Sequence, residues 1–265
     1  MSVVRSETRG GVCTVTLCDD EHRNALGRQL VAEMVAAFDA AEADDDVRVI
    51  ILTNEGRAFC AGANLSERSS STDVPGALID PMQLFGRFAN SPKPYVGRIA
   101  GHCVAGGMGL AAAMDISVTI DDVKFGFTEV RIGVAPAMIS VVCLPKLRTA
   151  DARSTFLRGN RFDGTEAARI GLVNAAVPRD QLDAGIDAII ADLLAASPDA
   201  LATAKQVLND VPTMSTADAF AWTSQLSAQL FETSEAREGM TAFLERRPAS
   251  WVLPLPDRAN FKTST

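Results

Sequence analysis

The sequence predicts an α/β fold in which a parallel sheet is buried among helices. Two observations carry this prediction: β-branched runs alternate along the chain with segments of helical periodicity, and the links between them are short. The 265 residues, 47% of them hydrophobic, suffice for a large core, as one domain or as one domain with an appendage.

The first elements are the clearest. Val12–Leu17 alternates like a strand and is predicted to pair with residues 3–7 across a turn at residues 9–11. Apolar residues at helical spacing predict an amphipathic helix over residues 28–43. The run VRVIILT, residues 47–53, is typical of a strand buried on both faces.

Later strands are short, and the second half of the chain is mostly helical. The segment GRAFCAGANL, residues 56–65, is predicted to form a loop punctuated by glycines. The remaining predicted elements are a short helix over 82–90 and strands over 95–100, 116–120, 124–127 and 172–177. The domain prediction is a core over residues 1–180, a helical region over 181–250 and a flexible, proline-rich tail over 251–265.

Composition argues against several classes of function. The formal net charge is −8 and no run of Lys or Arg is present, so we expect no nucleic-acid partner. The polar opening and the shortness of the longest apolar stretch lead us to expect neither a signal peptide nor a membrane span. Five scattered cysteines favour a reducing cytoplasm, and the two histidines stand in no metal-ligand spacing, so no metal is expected.

The stretch AGGMGL, residues 105–110, places three glycines where a helix should begin. One explanation is a dinucleotide fingerprint, because residues 107–112 fit G-x-G-x-x-A, but the helix has room for only about eight residues, too few for such a crossover. A second is an oxyanion hole, in which free N–H groups at the helix start and in residues 60–63 bind a carbonyl oxygen. A third is close helix packing, and spacing alone does not separate it from the second.

Glu129 stands among apolar residues, in FGFTEV, just after a predicted strand. An acid in this position is either an exposed residue at a strand end or a partly desolvated general acid/base whose pKa is raised by burial. The residues alone leave both interpretations open.

Six motifs in a fixed order resemble one family. They are NAL at 24–26, FCAGANL at 59–65, KPYVGRIAGHCVAGGMGLAAAMDI at 93–116, FGFTEVRIGVAP at 125–136, FDGTEAARIGLVNAAVP at 162–178 and EGMTAFLERR at 238–247. Together they resemble the crotonase superfamily of enoyl-CoA hydratases and isomerases. The resemblance implies a crotonase-like spiral of ββα units holding an acyl-CoA site, followed by helices that form trimers, commonly paired into hexamers. It also implies a cytoplasmic enzyme of fatty acid metabolism whose only coenzyme is the CoA of its substrate.

The resemblance also implies site residues. The N–H groups of Ala63 and Gly106 match the oxyanion hole, and Glu129 matches a catalytic acid/base. Phe243 and Arg246 match an aromatic and basic pair that reaches the CoA of a neighbouring subunit. The residues that match segments lining the CoA arm are Asn24, Ala25, Ala61, Asn64 and Leu65, of which Asn64 replaces a commoner Asp.

Gly109 marks a departure from one pattern of the family. Hydratases with two catalytic glutamates carry one of them where this chain has Gly109, and the chain keeps only the second, Glu129. A single glutamate resembles the Δ3,Δ2-enoyl-CoA isomerases. The surrounding residues, however, are similar to a bacterial branch near the methylglutaconyl-CoA hydratases, in which glycine is common at this position. We therefore expect Gly109 to contribute to substrate binding by leaving room for a branched or bulkier acyl chain, or for an ordered water.

The favoured hypothesis is an enoyl-CoA hydratase that adds water across the 2,3 double bond, with Glu129 activating the water. A substrate carboxylate, or an acid such as Glu67 or Asp80, is a candidate for an assisting group. Two alternatives stay open. The chain is an isomerase with Glu129 as its only acid/base, or it is an inactive scaffold that keeps the fold and binds acyl-CoA weakly or not at all.

Overall fold

Two sheets and a set of surrounding helices make up the chain. The computed structural model describes residues 2–70, 80 and 82–257, and for residues 68–70 it describes the backbone only. The strands are β1 Val4–Arg9, β2 Val12–Leu17, β3 Val49–Asn54, β4 Ala58–Cys60, β5 Tyr95–Ile99, β6 His102–Val104, β7 Ile116–Ile120, β8 Lys124–Gly126, β9 Phe162–Asp163 and β10 Ala175–Val177. The α-helices are α1 Arg28–Ala43, α2 Leu65–Ser70, α3 Arg87–Asn90, α4 Gly106–Ala113, α5 Ala137–Cys143, α6 Thr149–Arg158, α7 Gly164–Arg169, α8 Leu182–Ala195, α9 Pro198–Asp210, α10 Thr216–Phe231 and α11 Ser234–Glu245.

The larger sheet has the order β1-β2-β3-β5-β7-β10. β1 and β2 form the predicted antiparallel hairpin, with Val4 opposite Leu17 and Arg9 opposite Val12. The other pairings in this sheet are parallel. All six residues of β3 are buried, as expected of an inner strand of a parallel sheet. The predicted α/β class, the hairpin and the helix over 28–43 are confirmed.

The smaller sheet, in the order β4-β6-β8-β9, was only partly predicted. β8 was expected, but β4 lies in the segment predicted as a loop, and no strand was predicted for β6 or β9. The prediction of a strand-free loop over residues 56–65 was therefore wrong. Strands of two or three residues are too short to show an alternating pattern, so only their pairing with neighbours reveals them.

A repeated path connects the two sheets. A strand of the larger sheet is followed by a short strand of the smaller sheet and then by a helix, first as β3, β4, α2 and again as β5, β6, α4. The second unit stacks on the first, because β5 pairs with β3 and β6 pairs with β4, both parallel. The helix α4 has the eight residues expected, and the added short strand completes the crossover that so short a helix could not make alone.

The C-terminal helices differ in how they contact this core. α8 packs on it through Leu182, Ile186, Ile190 and Leu194, which are all buried. α9 is attached through Lys205, which is 7% exposed. In contrast, α10 buries none of its residues in this chain.

The last described residues run back along the core. Trp251 donates a hydrogen bond from its indole Nε1 to the carbonyl oxygen of Ala195 over 3.2 Å, and the Leu253 amide donates to the carbonyl oxygen of Leu194 over 3.2 Å. Residues 258–265, the end of the predicted flexible tail, lie outside the described residues. Among the helices that the structure describes, none has the length and apolarity needed to cross a membrane.

Candidate active site

Three chain segments converge at one edge of the smaller sheet. The segments that leave β4, β6 and β8 carry Ala63, Gly106 and Glu129, respectively. Because these strands are parallel neighbours, their carboxyl ends lie side by side. All three residues line a single cavity of about 880 Å³. The fold thus brings together the three residues that separate motifs had suggested as catalytic.

The cavity wall is mainly apolar. Among the described residues that line it, Glu129 is the single carboxylic acid and Arg131 and Arg161 are the cationic side chains. Arg131 donates hydrogen bonds to the carbonyl oxygens of Gly159, over 2.8 Å, and Arg158, over 3.1 Å, which fixes its guanidinium at the rim. The apolar wall includes Leu26, Leu84, Phe85, Pro136, Met138 and Ile139.

Two backbone N–H groups in the cavity have no acceptor within the described part of the chain. Gly106 is the first residue of α4, so its amide has no intrahelical partner. The loop of Ala63 pairs with Leu26 through the residues on either side of it: Leu26 donates to the oxygen of Gly62 over 2.7 Å, and Asn64 donates to the oxygen of Leu26 over 3.4 Å. The Ala63 amide takes no part in these bonds. Both amides are therefore free to donate to a bound oxygen.

The two donor loops are pressed against each other. A Cβ atom placed on Gly62 would lie 2.6 Å from the Cβ atom of Ala105 and 3.1 Å from the amide nitrogen of Gly106, and Gly62 has a φ of +89°. Only glycine fits there. Ala105 itself has a φ of 49° and a ψ of −122°, a conformation that is strained for a residue with a side chain. Its amide is held by a 2.9 Å hydrogen bond to the oxygen of Gly126. This strained turn directs the start of α4 toward the cavity.

Glu129 lines the same cavity and stands at the start of the 3₁₀ turn Glu129–Ile132. Its Oε2 atom is buried and has no hydrogen-bond partner among the described residues. Burial raises the pKa of this carboxyl above its ordinary value of 4.5. A carboxyl that lines a cavity and has one buried oxygen without a partner is available to exchange protons with a bound molecule.

Gly109 does not leave open space, so the expectation of room above it was wrong. A Cβ atom placed on Gly109 would lie 2.5 Å from Cγ2 of Ile139 and 2.8 Å from Cε1 of Phe85. The side chains of Ile139 and Phe85 fill the volume over this glycine, and it is they that line the cavity. Gly109 contributes by letting these two side chains approach α4.

The residues predicted to line the CoA arm fall into three groups. Ala61 and Leu65 line the main cavity. Ala25 and Asn64 line a second cavity of about 300 Å³, to which the same two loops contribute. Asn24 lines neither and is fully buried, so the prediction that it is a contact residue is corrected here. Its side-chain amide donates to the oxygen of Ala58 over 2.8 Å, and its Oδ1 accepts from the Asp19 amide over 2.8 Å, which holds the loop that presents Ala25.

The remaining predicted residues lie away from the main cavity. Phe243 is 83% exposed on α11, and Arg246 follows that helix with a φ of 55°. The carboxylate of Glu67 accepts hydrogen bonds from the Arg28 amide and from Asn64, and it lines the smaller cavity. Asp80 is exposed and accepts a 2.9 Å hydrogen bond from the Met82 amide. In the described residues, neither acid lines the cavity that holds Glu129.

Sequence patterns did not identify several of the residues that line the cavity. Thr128 and Arg131 flank Glu129 in a motif that had been recognised, so their position could have been suspected. Phe85 and Ile139 lie 54 positions apart in the chain, and no spacing rule relates them to Gly109. Within the part of the chain that is described, no group of three or more His, Cys, Asp or Glu side chains is arranged to hold a metal ion.

Comparisons with known proteins identify the family. The model of the family "Enoyl-CoA hydratase/isomerase" matches residues 7–253. A protein of Thermus thermophilus named "Putative enoyl-CoA hydratase" is 34% identical over 245 residues, covering 91% of this chain and 97% of the relative. The "Short-chain-enoyl-CoA hydratase" of Clostridium acetobutylicum is 29% identical over 245 residues, covering 91% of this chain and 94% of the relative.

A solved structure extends the agreement to the fold. The crystal structure of an enoyl-CoA hydratase from Mycobacterium smegmatis superimposes with a TM-score of 0.86 at 26% identity, covering 94% of this chain and 98% of that chain. The predicted crotonase-like fold with C-terminal helices is thereby confirmed. The chain belongs to the enoyl-CoA hydratase/isomerase family of the crotonase superfamily.

Proposed function

We propose that this protein is an enoyl-CoA hydratase in which Glu129 is the only acid/base. One observation carries the proposal: Glu129, whose Oε2 atom is buried and unpartnered among the described residues, shares a mainly apolar cavity with two free N–H donors, those of Ala63 and Gly106. A base and an oxyanion-binding pair in one cavity suit a substrate whose carbonyl group activates the neighbouring carbons. The names of the relatives support a 2-enoyl-CoA thioester as that substrate.

The two amides would bind the thioester oxygen. Negative charge moves onto this oxygen when the neighbouring carbons react, and donors that are already oriented stabilise that charge without reorganising. The partial positive charge at the start of α4 adds to the effect. The strained turn at Ala105 and the close contact of Gly62 with it keep the two donor loops in place.

Glu129 would supply both proton transfers. Its carboxylate takes a proton from a water molecule while the water oxygen bonds to the β-carbon, and the electron pair of the double bond moves to form the enolate. The protonated Glu129 then gives its proton to the α-carbon as the carbonyl re-forms. The sum of the two steps is the addition of one water, and the raised pKa of Glu129 makes its carboxylate a stronger base for the first of them.

The CoA arm would leave the cavity past Ala61 and Leu65, with Ala25 and Asn64 in the second cavity that the same loops line. Phe243 and Arg246 would serve a neighbouring subunit rather than their own, because both lie on the exposed side of α11 and at its end. This role requires a neighbouring subunit, which a trimer or a dimer of trimers would supply.

A second candidate is a Δ3,Δ2-enoyl-CoA isomerase. It is favoured by the wall that covers Gly109, where apolar side chains stand in place of a second acid that could help to orient water. A single carboxyl can move a proton from the α-carbon to the γ-carbon with no water involved.

Two substrates separate these possibilities. Incubation with crotonyl-CoA should remove the absorbance of the conjugated enoyl thioester and yield 3-hydroxybutyryl-CoA. No change with crotonyl-CoA, together with a rise of that absorbance from 3-butenoyl-CoA, would overturn hydration in favour of isomerisation. No change with either substrate would leave the inactive scaffold, and titration calorimetry with butyryl-CoA would then show whether the cavity binds acyl-CoA at all.

A further inference from the structure

The helix α4 carries both the proposed oxyanion donor, Gly106, and Gly109, which lies against the apolar wall of the cavity. Gly106 begins this helix, and Gly109 follows three residues later on the same face. Three residues of α-helix advance about 4.5 Å along the axis. A thioester oxygen bound at the Gly106 amide therefore places the next few acyl carbons beside the face of α4 at Gly109.

Two side chains from different elements cover that face. Ile139 belongs to α5, and Phe85 belongs to the π-helical turn Met82–Gly86. They are 4% and 5% exposed, and both line the cavity. They touch α4 so closely that a single added carbon on Gly109 would lie 2.5 Å from one and 2.8 Å from the other. Neither can retreat toward α4, because the backbone at Gly109 lies directly behind both side chains.

We infer that Ile139 and Phe85 are specificity-determining residues that exclude branching near the reacting carbons of the acyl chain. This inference rests on the proposed function for the position of the thioester. A methyl branch at the β-carbon would meet a wall that has no space behind it, whereas a straight chain passes alongside. The wall is apolar, so the part of the substrate it touches is hydrocarbon. The protein thus selects straight 2-enoyl chains.

Binding of saturated thioesters tests this selection without any turnover. Butyryl-CoA and 3-methylbutyryl-CoA differ by one methyl group at the β-carbon. By titration calorimetry the unmodified protein should bind butyryl-CoA at least about tenfold more tightly, which is the discrimination one methyl group commonly gives in an apolar pocket. Ile139→Ala should reduce this preference to about twofold or less, because it removes the atoms nearest Gly109.

A second pair of variants tests the contact with Gly109. Gly109→Ala should push Ile139 into the cavity and weaken binding of the branched thioester further. The double variant Gly109→Ala, Ile139→Ala should restore binding of the branched thioester. Val141→Ala is the matched control, since Val141 lies on the same helix but is 75% exposed and does not line the cavity. It should leave the preference unchanged. Thermal melting of each variant identifies any that fails to fold.

The outcomes test the role of Ile139 and Phe85 separately from the proposed hydration reaction. Discrimination between the two thioesters that disappears in Ile139→Ala supports the inference even if crotonyl-CoA is not hydrated, in which case only the proposed reaction falls. Equal binding of the two thioesters by the unmodified protein would overturn the inference even if hydration is observed. An equal loss of preference in Val141→Ala would also overturn it, because a general loosening of α5 would then explain the change.

Discussion

At the scale of single residues, the carboxyl of Glu129 lowers the stability of the fold when it is charged, and the same carboxyl is the proposed acid/base of the reaction. Burial raises the pKa of its carboxyl, so the folded chain holds a proton more tightly than the unfolded chain does. Between the ordinary value of 4.5 and the raised value, the folded state binds more protons, and stability therefore falls as pH rises through this interval. Above the raised pKa the full penalty of a buried, unpartnered charge is present.

Replacing Glu129 should consequently stabilise the protein at neutral pH. Glu129→Gln removes the buried charge and keeps the shape of the side chain, so we expect a higher Tm at about pH 7 and no difference once the pH is below the ordinary carboxyl pKa. Thermal melting across the pH range measures this difference. Glu166→Gln is the control, and it should lower the Tm at neutral pH instead of raising it, because hydrogen bonding to Arg169 lowers the pKa of Glu166. A Tm for Glu129→Gln that equals or falls below that of the unmodified protein at neutral pH would contradict the account.

Some of these residues could be predicted from the sequence and others could not. Glu129, Ala63 and Gly106 stand in motifs whose spacing along the chain indicated loops, helix starts and strand ends. Gly109 was recognised, but its surroundings were misjudged, because what covers a buried glycine depends on side chains from distant elements. Phe85 and Ile139 became visible only through tertiary packing.

At the scale of elements, a buried cation on α9 makes three hydrogen bonds to the core. The Nζ atom of Lys205 donates to the oxygens of Phe88 and Lys93, over 2.7 and 2.9 Å, and to the carboxylate of Asp115 over 2.8 Å. The same carboxylate accepts from the amide of Tyr95, the first residue of β5. Lys205 therefore joins a C-terminal helix to the beginning of β5, an inner strand of the larger sheet.

Loss of this cation should destabilise the fold strongly. Lys205→Met keeps most of the apolar stem but leaves Asp115 and two carbonyl oxygens without their donor, which should lower the free energy of unfolding by about 3–5 kcal/mol. Urea denaturation at a fixed protein concentration measures the change. The same substitution at Lys124, which is exposed on β8, should have little effect. If both variants lose the same amount, the attachment of α9 does not depend on the buried cation.

The predictability of elements depended on their length. The 16 residues of α1 and the six of β2 carry enough apolar repeats to reveal their period. β4, β6 and β9 do not, although it is the ends of β4, β6 and β8 that bring the site together. The arrangement of the site was thus implied by the resemblance before any local pattern could show it.

At the scale of the whole molecule, the last two helices are left without a complete partner. Large apolar side chains on α10 and α11 are 66–83% exposed, namely Phe231, Phe220, Leu244 and Phe243. Apolar residues exposed in such number usually mark an interface. The proposed trimer, or dimer of trimers, would cover them.

Light scattering coupled to size exclusion tests this assembly. We expect a mass of three or six times the 28.1 kDa chain, and we expect Phe243→Glu to shift the distribution toward smaller species, because it places a charge in an apolar contact. A mass near 28.1 kDa for the unmodified protein at every concentration tested would contradict the proposed assembly.

The membership of the family was predictable from six ordered motifs, whereas the assembly and a cytoplasmic location remain predictions.

The central claim is that Glu129 carries out the proton transfers of hydration in this cavity, and turnover of crotonyl-CoA by Glu129→Gln tests it most directly. The loss of enoyl-thioester absorbance should be readily measurable for the unmodified protein and should fall at least about a hundredfold in the variant, since general acid/base groups commonly contribute that much or more. Butyryl-CoA should bind both proteins with similar affinity in titration calorimetry, because the oxyanion donors and the apolar wall are unchanged. Comparable turnover by the variant and the unmodified protein would contradict the account.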